Sequence, residues 1–302
     1  MNRGWFIAAA LAAPLLVACG GGSGAAPAAG PAATPIPSPP SLSVLGYALS
    51  SGVYGTPRVL GEYPLASSTP MRTFTELGGT AIRFDPSGTL WSDRIGQYDG
   101  YRADGSSAGS LNPPDQLLAF DVHGVLYAAS CCGLDVFSVG SGNTTTLVRS
   151  IVMTTACSAA ADGAGNIYVS TCRAGPTGPQ WSPVSQYGPS ANGSATPISV
   201  NNTAHGPITV DHSGNVYAPY NGSIGIWNAG TFGAGTPDRS LPIAAGNAVN
   251  DLAADRAGNV YVITRPASSN LSLPRTLLYF AAGTVTPVTL QSGDLGSVAA
   301  VP

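Results

Sequence analysis

The chain contains no lysine, only two glutamates (Glu62 and Glu76) and only three histidines among its 302 residues. All twelve basic residues are arginines, and the formal net charge is −3. This balance gives no basic surface, and we therefore expect no nucleic-acid partner. The sequence also lacks a P-loop, a dinucleotide-binding glycine fingerprint and a Cys-x-x-Cys pair, so it predicts no cofactor and no catalytic residue.

Residues 1–18 have the pattern of an export signal. Arg3 supplies a positive charge, and the apolar run from Trp5 to Ala18 is short for a bilayer span. The run ends in Leu16-Val17-Ala18-Cys19, which resembles the bacterial lipobox. The resemblance implies cleavage before Cys19, lipidation of that cysteine and attachment to the cell envelope, and Gly20 at the next position favours the outer membrane. The alternative is an ordinary secretory signal with a chance cysteine.

The lipidated cysteine is followed by a tether that extends to residue 41. It is dominated by Gly, Ala, Pro and Ser and carries no charge, so it cannot bury enough surface to order itself. No later segment approaches a membrane span, and the lipid is the only anchor that we identify. The folded domain is therefore predicted to occupy residues 42–302.

One short pattern recurs five times in that domain: an aspartate, a glycine three residues later and an aromatic side chain six residues later. The copies span 85–91, 121–127, 162–169, 211–217 and 255–262, with successive aspartates 36 to 49 residues apart. One β-hairpin in each repeat of this length is typical of a β-propeller.

The copy at 255–262 illustrates the expected turn. We expect the Asp255 carboxylate to accept backbone N–H bonds inside the turn, and Gly258 to adopt the positive φ that a tight reversal needs. Asn259 is expected to tolerate a similar backbone conformation. Val260, Tyr261 and Val262 favour the returning strand.

A second feature completes each unit. After every hairpin comes a strand with an aromatic residue at its fourth position, and a Thr-Pro pair often precedes an outermost strand, whose free edge tolerates proline. The aromatic residues are Tyr98, Phe137, Tyr187, Trp227 and Phe280. These features predict five blades.

The two ends of the domain supply a sixth blade. Val44–Tyr47 matches the aromatic strand, and Ser297–Val301 matches an innermost strand that has lost its hairpin. The second strand of this blade is not evident; Met71–Glu76 either fills it or belongs to a long connection. We therefore predict an all-β, six-bladed propeller closed by N- and C-terminal strands that share one blade.

The Asp-x-x-Gly-Asn-x-Tyr-Val hairpins resemble those of NHL-type and gluconolactonase-like six-bladed propellers over residues 42–302. Such folds carry lyases, lactonases and binding modules, so the resemblance implies architecture more than activity. The segment Asn250-Asp251-Leu252-Ala253 resembles the Asn-Gly-Leu-Ala segment of gluconolactonase-like enzymes, which implies Asn250 as a metal ligand. However, Thr80 stands where those enzymes place a glutamate, and one well-placed histidine cannot form the usual zinc set. We therefore expect no bound metal.

The loops that lead into the innermost strands share a face with the longest insertions, Arg173–Pro183 and Arg265–Arg275. Elaborated loops and channel mouths are where ligands usually bind. The candidate residues on this face are Gln116, His205, Asn250, Asp251, Arg94, Arg173, Trp181 and Arg265. For each one, a solvated loop position or a satisfied channel polar group is the alternative interpretation.

Four cysteines besides Cys19 allow three pairings, and an oxidising compartment favours two disulfides. Cys157 and Cys172 lie symmetrically about a hairpin centre, where antiparallel neighbours are close enough to bond. We favour Cys157–Cys172 with a strained vicinal bridge between Cys131 and Cys132. The rival is two inter-blade bridges.

These observations predict a monomeric, membrane-anchored binding module of the bacterial envelope, in the periplasm or facing the surface. Its loop-rich face is expected to bind a protein, a glycan or a small molecule. The alternatives are a metal-dependent lactonase-like hydrolase with its site in the central channel, and a purely structural envelope component.

Overall fold

The computed structural model describes residues 42–46, 57–63, 72–77, 81–94, 97–113, 116–173, 180–267, 274–293 and 295–300, the first three ranges and residue 94 by their backbone only. The signal peptide, Cys19 and the tether lie outside these residues. Within the described ranges, no helix is long and apolar enough to cross a membrane.

The described residues form twenty-five strands and two short 3-10 turns, at Ser141–Asn143 and Phe232–Ala234. The strands up to the second hairpin are β1 (Leu42–Gly46), β2 (Pro57–Tyr63), β3 (Arg72–Leu77), β4 (Ile82–Phe84), β5 (Leu90–Arg94), β6 (Gln97–Tyr101), β7 (Ser107–Leu111), β8 (Gln116–Phe120) and β9 (Leu126–Ser130). Next come β10 (Gly133–Val139), β11 (Thr145–Val152), β12 (Ala156–Ala161), β13 (Ile167–Arg173), β14 (Gln180–Trp181), β15 (Pro183–Tyr187), β16 (Ser199–His205), β17 (Thr209–Val210) and β18 (Val216–Tyr220). The last are β19 (Ser223–Trp227), β20 (Arg239–Pro242), β21 (Asn247–Ala254), β22 (Val260–Pro266), β23 (Arg275–Phe280), β24 (Val288–Gly293) and β25 (Leu295–Ala299).

Five antiparallel sheets follow one another along the chain, and the strands of each sheet pair in sequence order. They are β4–β7, β8–β11, β12–β13–β15–β16 with β14 added beside β13, β17–β20 and β21–β24. Residues from the first strand of every sheet line one narrow channel of about 90 Å³. The protein is therefore an all-β propeller with five ordered blades, as the hairpin repeat predicts.

A further sheet joins the two ends of the described chain in the order β25–β1–β2–β3. The backbone of β1 pairs with both neighbours, with Val44 opposite Val298 on one side and Gly61 on the other. The strand at Val44 is therefore the second of its sheet, not the third as the sequence predicts. β2 takes the third position and β3 the outermost one. The C-terminal segment supplies only β25 to this sheet, so the N-terminal segment supplies the other three strands.

Every hairpin between the first and second strands of the five blades is held by its aspartate. In the fifth blade, Asp255 Oδ1 accepts the backbone N–H groups of Ala257 and Asn259, each at 2.9 Å. Its Oδ2 accepts the Asn259 side-chain amide at 2.7 Å and the Tyr261 hydroxyl at 3.3 Å. Gly258 has φ of +80°, which confirms its predicted role. We call this arrangement, an aspartate bonded to the turn and to the aromatic side chain six residues on, the aspartate clasp.

The clasp recurs in the other four blades. The hydroxyl groups of Tyr127, Tyr168 and Tyr217 donate to Asp121, Asp162 and Asp211 at 3.1, 3.1 and 2.8 Å. In the first blade, Trp91 Nε1 donates to Asp85 at 2.9 Å. Burial, together with the adjacent aspartate, raises the pKa of all three of these tyrosines and of Tyr261.

The predicted aromatic residues of the third strands are all buried between neighbouring blades: Tyr98, Phe137, Tyr187, Trp227 and Phe280. Trp227 packs edge-to-face against Tyr220 and Phe232, with ring centroids 6.1 and 5.4 Å apart. Burial of each such side chain contributes roughly 1.5–3 kcal/mol. The strands that follow Thr-Pro pairs in the third to fifth blades are outermost, as expected for their free edge.

Candidate functional site

The end of the channel opposite the clasps is lined mainly by residues four or five positions before the hairpin aspartates. In the third and fifth blades, the pairing register shifts at this point, between Ala156 and Ser158 and between Val249 and Asp251. The extra residues are Cys157 and Asn250. A bulge of this kind redirects side chains, and here it brings both residues to the channel mouth.

The mouth is a polar cavity of about 290 Å³. It brings together four of the predicted site residues, Gln116, Asn250, Asp251 and Trp181, which come from three blades. The other lining residues are Ala81, Arg83, Cys157, Ser158, Pro207, Arg275, Gly296 and Ser297. We call this cavity the mouth cavity.

Arg83 lies between the mouth cavity and the channel below it, since it lines both. Its Nη1 donates to Ser297 Oγ at 3.1 Å and lies 3.4 Å from Asp251 Oδ2. Its Nε donates to the Leu118 carbonyl at 2.6 Å, and Nη1 also donates to the Ile82 carbonyl at 2.7 Å. One guanidinium therefore connects strands from four sheets.

Asp251 is buried, and both of its carboxylate oxygens accept protein donors. Oδ2 accepts the Ser297 hydroxyl at 2.5 Å and the Val298 N–H at 3.1 Å, while Oδ1 accepts the Leu252 N–H at 3.0 Å. Together with the Arg83 contact, these hydrogen bonds compensate the negative charge of the Asp251 carboxylate, as burial requires.

This arrangement does not fit the divalent metal that the gluconolactonase-like resemblance implies. Asn250 Nδ2 donates to the Gly296 carbonyl at 3.0 Å, so the amide faces β25 as a donor. A cation bound to Asp251 would lie close to the Arg83 guanidinium, which carries the same sign of charge. Within the described ranges, no cluster of three His, Cys, Asp or Glu side chains is placed to hold a metal ion.

A second cavity of about 270 Å³ lies beside the mouth cavity, and Trp181 lines both. It contains two other predicted site residues, His205 and Arg265, together with Asn247 and Ser223. His205 Nε2 lies 2.9 Å from the Asn202 carbonyl oxygen. The sequence places these residues on the correct face, but in a different cavity from Asn250 and Asp251.

Of the remaining two candidates, Arg173 lines neither cavity. Arg173 is exposed, and its Nε donates to Gln180 Oε1 at 2.7 Å across the β13–β14 pair. Arg94 ends β5 and is described only by its backbone, which pairs with Gln97. Whether Arg94 contacts a ligand stays a prediction.

The cysteines confirm one predicted pairing. Cys157 and Cys172 form a disulfide with Cα atoms 5.7 Å apart. The two residues are not directly opposite each other, contrary to the prediction, because Ala161 and not Asp162 pairs with Ile167, and because Cys157 is itself the bulged residue.

Cys131 and Cys132 are both exposed, and their sulfur atoms lie 3.0 Å apart. Cα atoms of adjacent residues are about 3.8 Å apart, closer than the roughly 4.4–6.8 Å that disulfides prefer, so a bridge between them would be strained. The vicinal bridge stays a prediction.

The sequence analysis missed Arg83 and Ser297, although a signal for both is present. Two residues before their hairpin aspartates, the other four blades carry Ala119, Ala160, Thr209 and Ala253, and only the first blade carries an arginine. A charged residue at a position that is otherwise small marks a departure from the repeat. Ser297 occupies the same position in β25 as Asp251 does in β21, if Val301 is aligned with the hairpin aspartates.

No family model and no curated protein matches the chain. Solved structures do match. A protein of unknown function from Bacteroides caccae gives a TM-score of 0.56 at 10% identity, covering 86% of this chain and 98% of that chain. The periplasmic gluconolactonase PpgL of Pseudomonas aeruginosa gives 0.51 at 13% identity, covering 84% and 83%. At these identities the likeness shows the propeller fold alone, and the finer resemblance to NHL-type repeats stays a prediction.

Proposed function

We propose that this protein is a lipid-anchored propeller of the bacterial envelope that binds a ligand in the mouth cavity. The observation that carries the proposal is the convergence of Arg83, Gln116, Asn250 and Trp181 on one cavity of about 290 Å³. That volume is at the lower end of the range for small-molecule sites, roughly 300–1,000 Å³. The occupant that fits is therefore a small molecule or a single projecting group of a larger partner.

We infer also that the ring has six blades and that strands from both ends of the domain share the closing blade. The pairing of β1 with β25 supports this inference, as does the contribution of Val298 and Ala299 to the channel lining. Such closure removes the free edge that an open ring would leave. It also places Ser297 beside Asp251, so the proposed site depends on it.

Binding is favoured over lactonase-like hydrolysis because Asp251, the one carboxylate among the described residues of the mouth cavity, already has protein partners. Asp251 accepts bonds from Ser297, Val298 and Leu252 and lies against Arg83. A general base or a metal ligand needs an accessible lone pair, and here Oδ2 faces three protein donors while Oδ1 accepts one N–H in a buried position.

The proposal is tested by screening purified protein against a library of neutral, anionic and cationic small molecules with ligand-observed NMR. Hits are then measured on Trp181→Ala and Gln116→Ala. We expect both changes to weaken binding, whereas His212→Ala should not, because His212 is an exposed residue in a clasp turn at the other end of the channel. Hits that bind Trp181→Ala and Gln116→Ala as tightly as wild type would refute the mouth cavity as the site.

The anchor is tested separately in a bacterial host. We expect wild-type protein to incorporate labelled palmitate and to fractionate with membranes, and Cys19→Ser to lose both properties. A Cys19→Ser protein that still fractionates with membranes would contradict the lipid anchor.

A further inference from the structure

We propose that the Arg83 guanidinium is the resident cation of the channel mouth, and that it binds the carboxylate of a small organic acid without any metal ion. The inference rests on the proposed function, because it names the class of ligand for the same cavity.

The charges of the lining residues favour an anion. Among the described residues that line the cavity, two are arginines, Arg83 and Arg275, and one is a carboxylate, Asp251. Asp251 already accepts three hydrogen bonds besides its contact with Arg83, so its charge is shared among several donors. The described lining therefore carries a formal net positive charge, which a ligand carboxylate would neutralise.

The hydrogen-bonding groups of the cavity floor also favour an acceptor-rich ligand. Arg83 uses Nε and Nη1 for protein contacts, while Nη2 forms no hydrogen bond with a described residue. The buried Ser158 Oγ accepts the Ile208 N–H at 2.9 Å and has its own hydroxyl proton to donate. A planar carboxylate can accept from both groups, and a charge-assisted bond to arginine is among the stronger polar contacts in proteins.

The rest of the cavity suits a small polar body attached to that carboxylate. Trp181 offers a partly exposed ring, and the Gln116 side-chain amide and Asn250 Oδ1 offer a donor and acceptors. These groups are selective for shape and hydrogen bonding but carry no charge. The discrimination between an acid and its neutral analogue should therefore depend on Arg83.

The competing explanation is that Arg83 serves only to connect strands. It contacts Leu118, Ser297 and Asp251 in three neighbouring sheets, and such contacts stabilise the ring whether or not a ligand binds. The two roles differ in one respect: a structural arginine gives no preference for a carboxylate over an amide of the same shape.

The test is isothermal titration calorimetry with three matched acid and amide pairs: D-glucuronate and D-glucuronamide, succinate and succinamide, and benzoate and benzamide. We expect wild-type protein to prefer the acid in at least one pair by roughly tenfold or more. Affinity should be the same in EDTA and in added calcium, and it should fall as the salt concentration rises.

Three variants test whether Arg83 gives the preference for the acid over the amide. Arg83→Lys keeps the charge and loses the planar fork, and should weaken acid binding roughly ten- to hundredfold. Asp251→Asn removes the competing anion, so acid binding should be retained or strengthened. The double variant Arg83→Met, Asp251→Asn avoids leaving a buried carboxylate unpaired, and it should abolish the preference for the acid over the amide. Thermal melts check that each variant is folded.

Three results would overturn the inference. They are equal binding of acid and amide, dependence of acid binding on calcium, and acid binding unchanged in the Arg83→Met, Asp251→Asn protein. If amides bind equally well and lose affinity in Trp181→Ala, the mouth cavity remains the binding site and only the assigned ligand class is wrong.

Discussion

The two ends of the channel are built on different principles. At the clasp end, five blades repeat the same aspartate, the same glycine and an aromatic hydrogen-bond donor six residues on. At the mouth end, equivalent positions four residues before the aspartates carry Ala81, Leu117, Ser158, Pro207 and Asp251. The repeated end stabilises each blade, and the varied end holds the proposed binding site. Departures from a repeat are therefore where a site should be sought.

The largest effect should come from breaking a clasp. Asp211→Ala removes the acceptor for the Ser213 and Asn215 N–H groups, the Asn215 amide and the buried Tyr217 hydroxyl. We expect a loss of about 3–4 kcal/mol in the free energy of unfolding, measured by urea denaturation.

Two comparisons sharpen that result. Asp121→Ala should cost about 1 kcal/mol less, because Val125 stands where Asn215 stands and one hydrogen bond is absent. Gln116→Ala, at the exposed start of β8 in the mouth, should change stability by less than about 0.5 kcal/mol. Equal losses at the two ends would contradict the division of roles.

A smaller but clear effect is expected from the disulfide, which is the strongest constraint found at the mouth end. Replacing Cys157 and Cys172 together by alanine opens a loop with a sequence separation of 15 residues. The expected loss is about 3 kcal/mol or slightly less, measured by thermal and urea denaturation. Reduction of wild-type protein should reproduce it, and a reduced protein as stable as the oxidised one would show that the bulged strand is held by its other contacts.

The clasp tyrosines should make the protein sensitive to alkaline pH. Burial and Asp211 raise the pKa of Tyr217 above its usual value of 10. The folded protein therefore holds the phenol proton more tightly than the unfolded chain. The resulting contribution of Tyr217 to the free energy of unfolding is complete below pH 10 and is lost as pH rises further.

Tyr217→Phe tests this dependence. It should cost about 1 kcal/mol near neutral pH and should make the decline in stability above pH 10 less steep by up to about 1.4 kcal/mol per pH unit. Urea denaturation between pH 8 and 11.5 measures both quantities, and Tyr168→Phe provides a second copy. Curves for variant and wild type that stay parallel above pH 10 would show that the clasp does not protect the phenol.

The contrast between the clasp end and the mouth end also explains which features could be predicted from the sequence. The hairpins and the buried aromatic strands were predictable because each depends on local geometry repeated several times. The Cys157–Cys172 bridge was predictable because its two cysteines flank a single hairpin. Asn259 shows the limit at the clasp: it was expected to tolerate an unusual backbone, yet its φ is not positive, and its side chain instead bonds Asp255 and accepts the Tyr279 hydroxyl. A side-chain role of this kind depends on a strand twenty residues away.

At the mouth, prediction was weaker because the site depends on bulges and on contacts between distant strands. The bulges at Cys157 and Asn250 are invisible in the hydrophobic pattern, and they decide which side chains reach the cavity. The bond between Ser297 and Asp251 joins residues 46 positions apart. Of the residues predicted at the channel mouth, Gln116, Trp181, Asn250 and Asp251 line one cavity, whereas His205 and Arg265 line its neighbour, and a binding role for any of them stays a prediction.

The most direct test of this account is a crystal structure of the protein soaked with whichever organic acid binds best in calorimetry. The account predicts ligand density in the mouth cavity, with a carboxylate oxygen about 3 Å from the Arg83 guanidinium and the ligand body beside Trp181. A ligand bound at the clasp end, or a mouth cavity that stays empty of ligand at saturating concentration while Arg83 keeps its protein contacts, would contradict it.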